Sequence, residues 1–194
     1  MSYNWYCYGQ IKNDKDDSWK EFSKQPFSDN LKWYIDFDDV PSCFQRVIFD
    51  HEDNEQLKQD IAPAFIEEFK GEDAFSCCNA YVVRLDKFIE HFNNKIQSVY
   101  STLSGIFKCM GINEDIDWNG DIEECIYCML SDNEKEMKQK SVPISKTGIL
   151  EIVRCINNLE KYQYLINIAR VFESMAFDSH DYDNTKKSFL MVQQ

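Results

Sequence analysis

From Leu85 to Met110 the apolar residues fall at Leu85, Phe88, Ile89, Phe92, Ile96, Val99, Leu103, Ile106, Phe107 and Met110. That spacing is helical and is kept for about seven turns, which predicts one long amphipathic helix. The first part of the chain repeats differently. Tyr3, Trp5, Cys7 and Ile11 alternate with Asn4, Tyr6, Tyr8 and Gln10, and Leu31, Trp33, Ile35 and Phe37 alternate with Lys32, Tyr34, Asp36 and Asp38. A period of two predicts strands, and the second run carries the cleanest half-buried pattern in the chain. Shorter strands are expected over 44–49 and 80–85, and Ser18 is expected to cap a short helical stretch reaching Phe22.

Pro63 at a first helical position, apolar Phe65, Ile66 and Phe69, and Gly71 at the stop outline a further helix, begun near Glu55. Asp121, with Glu124 three residues on, opens a helix to Leu130. Ser145 caps a last helical region through Phe172, with a break at Asn157 and Asn158. Strands first and helices later predict an α+β fold: a small N-terminal antiparallel sheet with helices packed on it, and a predominantly helical C-terminal half. Residues 1–177 are read as a single α+β domain and residues 178–194 as a polar, frayed C-terminal tail.

Composition supports one folded core. The 194 residues are 43% hydrophobic and 14% aromatic, which supplies enough apolar surface despite a net charge of −13. With 6 glycines and 4 prolines there is little material for flexible linkers or glycine-rich nucleotide loops. No apolar run approaches the roughly 18 residues that span a bilayer, and Met1 to Gln10 lack a signal-peptide pattern, so the expected location is the cytosol. The 8 cysteines are irregularly spaced and read as thiols, mostly buried. Cys125 and Cys128 would supply one half of a zinc site, for which Cys77 and Cys78 are a poor second half.

The charge is unevenly distributed. Residues 1–75 hold 17 acids against 8 bases, residues 113–136 hold 9 acids against 1 base, and the remainder is net positive. Such a surface repels phosphates, which argues against direct nucleic-acid binding. It attracts a basic protein, and rows of carboxylates can occupy a groove shaped for phosphates. The competing reading is that acidic faces only keep the protein soluble. Tyr6, Tyr8 and Tyr34 lie opposite the expected core, either as interface anchors or beneath a second layer of helices.

The most specific local pattern is Asp115-Ile116-Asp117-Trp118-Asn119-Gly120-Asp121-Ile122-Glu123. It resembles the first nine positions of an EF-hand calcium loop, with oxygen ligands at the first, third, fifth and ninth positions and the turn glycine at the sixth. The resemblance implies calcium held by Asp115, Asp117, Asn119, Asp121 and Glu123. It stops at position twelve, where Ile126 replaces the bidentate glutamate. The local alternative is a turn at Asn119-Gly120 followed by an Asp121 helix cap.

Signatures of common enzymes are missing: no G-x-S-x-G, Walker loop, dinucleotide fingerprint or H-E-x-x-H occurs, and His51, His91 and His180 lie far apart. The pairs Asp36/Asp38, Asp38/Asp39 and Glu67/Glu68 fit solvated acids better than an acid–base or magnesium site. The expectation is therefore a non-enzymatic interaction protein that binds a basic protein partner and acts as an inhibitor, immunity-type or anti-defence protein, with nucleic-acid mimicry as a mechanism. Asp36, Asp38, Asp39, Asp115, Asp117 and Asp121 are the expected contacts. The alternative is a metal-dependent enzyme or calcium-responsive module using the same clustered acids.

Overall fold

The computed structural model describes residues 4–12, 15, 17–47, 49, 59–70, 80–109, 146–176 and 183–193. Five strands form one antiparallel sheet: β1 (Trp5–Lys12), β2 (Trp19–Glu21), β3 (Gln45–Val47), β4 (Ala80–Arg84) and β5 (Lys187–Gln193), in the order β2-β1-β5-β4-β3. Helices α1 (Pro63–Lys70), α2 (Leu85–Cys109) and α3 (Lys146–Met175) follow the expected positions, and the architecture is α+β. The expected start of α1 near Glu55, the helix from Asp121 to Leu130 and the Ser145 cap lie outside the described residues. No helix among the described residues is long and apolar enough to cross a membrane.

Residues 187–193, expected within a frayed tail, instead form the middle strand. β5 pairs with β1 from Trp5↔Gln193 to Ile11↔Lys187 and with β4 from Ala80↔Val192 to Arg84↔Ser188. All of its residues through Val192 are buried, so no polar–apolar alternation marks it. Two further expectations change. The stretch from Ser18 to Phe22 contains β2, because β1 needs a partner on its outer edge; Phe22 N–H continues that edge by donating to the Gly9 carbonyl at 2.9 Å. Asn157 and Asn158 do not interrupt α3. Neither is fully buried, and an asparagine costs at most about 0.7 kcal/mol in a helix, too little to break one held on both sides by buried Cys155 and Leu159.

The described residues gather into two compact units, Met1–Phe92 with Tyr164–Gln194, and Asn93–Gln163. In the first, both faces of the sheet are covered. Tyr8, Ala80, Val82, Leu190 and Val192 pack against Ile61, Ala62, Phe65 and Phe69 on one face. On the other, the Phe189 ring meets Phe27, Phe88 and Phe172 at centroid distances of 6.0, 5.1 and 5.2 Å. In the second unit, Val99, Leu103 and Phe107 of α2 and Ile152, Cys155 and Leu159 of α3 form a separate core, each set spaced three or four residues apart along one helix face.

One polar side chain stands inside the first core. Gln10 is fully buried, and its amide nitrogen donates to the Asp60 carbonyl at 2.7 Å and to Ser188 Oγ at 2.8 Å. Its Oε1 accepts the Ala62 N–H at 3.0 Å. These bonds tie β1 and β5 to the segment that enters α1, and they satisfy backbone groups that would otherwise be buried without partners. Beside it, Gly9 is required for a different reason. A Cβ there would lie 2.5 Å from the Phe27 ring and 3.0 Å from the Phe172 ring. Gly9→Ala is expected to destabilise the protein by about 1–3 kcal/mol through overpacking, measured as a lower urea midpoint with an unchanged slope.

Candidate interaction surface

The acids predicted as contacts begin in the loop between β2 and β3. Leu31–Trp33 is a single 3₁₀ turn, extended by Tyr34 N–H and Ile35 N–H, which donate to the Leu31 carbonyl at 2.9 and 2.8 Å. The strand expected over Leu31 to Phe37 is therefore absent. Leu31 and Ile35 are both buried as a helical i, i+4 pair, so the alternation in the sequence was one turn of helix followed by a bend. Asp36 and Asp38 consequently do not share a strand face. Asp36 Oδ1 accepts the Asp38 N–H at 3.0 Å and the Asp36 carbonyl accepts the Asp39 N–H at 3.3 Å, a turn closed by its own side chain.

Aromatic rings hold this loop from beneath. Tyr34 stacks on Tyr164 at 3.9 Å and 18°, and Phe37 stacks on Trp5 at 3.6 Å and 8°. Tyr164 also shares a 3.2 Å hydrogen bond between its hydroxyl and that of Ser28. The outward side is different in kind. Asp29, Asp36, Asp38 and Asp39 are exposed, and none of them is ion-paired among the described residues. Trp33 is 62% exposed, with Lys32 Nζ 5.2 Å from its ring centroid. Sequence reasoning missed Trp33 because the alternation assigned it to the buried face; an isolated indole between two buried i, i+4 positions was the available signal.

The remaining predicted residues are not brought to this surface. Asp115, Asp117, Asn119, Asp121 and Glu123, and with them the calcium loop, lie outside the described residues, as do Cys77, Cys78, Cys125, Cys128, His51 and His180. Among the described residues no group of three or more His, Cys, Asp or Glu side chains is arranged to hold a metal ion. Glu67 and Glu68 are exposed on α1. Tyr8 is not an interface anchor: it is buried against Phe65 and Phe69, 5.4 and 5.6 Å away, which answers the choice between anchor and covered layer in favour of cover.

The described cysteines are free thiols. Burial pushes the Cys7 thiol well above its usual range and raises those of Cys43 and Cys155, in each case as the largest cause. These thiols stay protonated at neutral pH and are poor nucleophiles. What the loop offers is exposed negative charge, not ion-paired among the described residues, and an exposed indole on a backbone held by stacked rings. Comparison with protein-family models, with curated proteins and with solved structures found no match.

Trp33→Ala is expected to change stability by less than about 0.5 kcal/mol, whereas Phe37→Ala, which removes the ring stacked on Trp5, costs about 1–3 kcal/mol; parallel urea titrations check the contrast. Among the described cysteines, a native-state thiol reagent should label exposed Cys109 first, Cys43 more slowly, and Cys7 and Cys155 only on unfolding. Peptide mapping by mass spectrometry reads that order.

Proposed function

We propose that this chain is a non-enzymatic interaction protein that binds a basic protein partner through the loop from Asp29 to Asp39. One observation carries the reading: exposed Trp33 shares with four exposed aspartates, none ion-paired among the described residues, a loop pinned from below by the Tyr34–Tyr164 and Phe37–Trp5 stacks. Exposed tryptophans are favoured anchors at interfaces, and a pre-fixed loop loses little conformational freedom on docking. Four carboxylates supply steering toward a cationic surface. Net charge of −13 makes the same chain a poor ligand for nucleic-acid phosphates.

The biological role proposed is that of an inhibitor, immunity-type or anti-defence protein. Its carboxylates would occupy the positively charged groove with which the partner binds nucleic acid. Free thiols at Cys7, Cys43, Cys109 and Cys155 are consistent with a cytoplasmic location.

The test is capture from native lysate on immobilised wild-type protein, on Asp36→Asn/Asp38→Asn/Asp39→Asn and on Trp33→Ala, followed by binding kinetics with the captured protein. A basic partner is expected. The triple variant should bind more slowly and lose much of the salt dependence, and Trp33→Ala should dissociate about tenfold faster or more. A partner retained equally by all three proteins would sink the assignment of this surface.

A further inference from the structure

Across the face of the sheet that packs on α1, one row departs from the apolar pattern. Gln10, Ser188 and Arg84 are neighbours in register on β1, β5 and β4. Lys12 lies one step further along β1 on the same face, and Lys87 follows in the first turn of α2. Ser188, Arg84, Lys12 and Lys87 open onto a cleft of about 410 Å³ whose apolar wall includes Trp19 and Val82. In a chain of net charge −13, three cations share one cavity in which Asp60 is the acid of the wall.

Ser188 is 1% exposed, and the orientation of its hydroxyl is dictated by Gln10. The Gln10 oxygen accepts from Ala62 N–H and its nitrogen donates to the Asp60 carbonyl, so the group facing Ser188 is the NH₂. Ser188 Oγ must accept that bond, at 2.8 Å, and its own hydrogen has no acceptor among the described residues. A buried hydroxyl donor is thus left at the cleft wall. The cations have capacity to spare as well. Arg84 uses Nε and Nη2 on Asp86, at 3.1 and 2.7 Å, which leaves Nη1. Lys12 pairs with exposed Asp17 at 2.9 Å and Lys87 with exposed Glu90 at 2.7 Å, and exposed pairs of this kind hold weakly. The neighbouring acids are engaged elsewhere: Asp60 accepts from Gln45 Nε2 at 3.2 Å, and Asp183 accepts both the hydroxyl and the N–H of Thr185.

We propose that this cleft binds a small phosphomonoester, with its phosphoryl group on Arg84, Lys12, Lys87 and the Ser188 hydroxyl and its organic body along Trp19 and Val82. Three cations and a neutral donor suit a dianion with several acceptor oxygens. The volume is in the range of small-molecule sites, roughly 300–1,000 Å³, and exceeds what a bare phosphate ion needs. This site is separate from the acidic loop and stands without the proposed partner.

Calorimetric titration of the full chain with phenyl phosphate, inorganic phosphate and benzoate, at constant ionic strength, tests it. Phenyl phosphate should bind saturably, more tightly than inorganic phosphate and about tenfold or more tighter than benzoate. Arg84→Gln and Lys12→Gln should each weaken it about tenfold, Arg84→Lys by less, and Arg154→Gln, on an exposed position of α3, not at all. Thermal unfolding without ligand confirms that each variant is folded. No saturable binding of any probe, or binding that Arg84→Gln and Lys12→Gln leave unchanged, overturns the site. Benzoate binding as tightly as phenyl phosphate overturns the phosphoryl assignment, and inorganic phosphate binding as tightly overturns the place given to the organic body.

Discussion

The structure of the first unit depends on a middle strand, β5, that is buried on both faces of its sheet. A strand in that position must be apolar on both sides, and each polar backbone group must find its partner within the ladder. β5 meets both conditions by lying between β1 and β4, with ladder partners on each edge. The Phe189 cluster on one side and the α1 cluster on the other follow from that position, as does the close approach at Gly9. The edge strands β2 and β3 are three residues each, which limits the unpaired ladder the sheet presents to solvent.

How far the fold could be read from the sequence follows from the same constraint. Periodicity found α1 and α2, each with an apolar stripe and polar residues opposite, and most of α3, whose buried or half-buried positions recur every three or four residues although Leu150, Val153 and Val171 are exposed. It found β1, β3 and β4. β5 escaped it because Ser188 to Val192 has no polar face to alternate with, and seven residues are too few to stand out by length. The loop at Leu31 failed in the opposite way: apolar residues at every second position looked like a strand, although the backbone bonds to itself. Local sequence does not say whether a neighbouring strand is present to pair with, and here none was.

The candidate surfaces were legible only in part. The concentration of acids near Asp36 was visible by counting, and the structure brings Asp36, Asp38 and Asp39 together on one turn. Trp33 was assigned to the wrong side, and the cationic cleft gave no sequence signal at all. Lys12, the Arg84–Lys87 pair and Ser188 come from three stretches far apart in the chain, and each residue looks ordinary alone. The sign of the local charge thus varies sharply over a molecule whose total is strongly negative, and net charge describes encounter with partners better than it describes any one site.

The pairing of β1 with β5 joins residues that lie about as far apart as this chain permits. During synthesis the pairing cannot begin until residues of β5 have been made and have left the ribosome, so β1, and β4 from its own emergence onward, wait with their inner edges bare. The nascent chain therefore carries one incomplete strand edge from the emergence of β1, and a second from the emergence of β4, until β5 follows. A chaperone that covered those edges until the middle strand arrived would suppress their pairing with other chains.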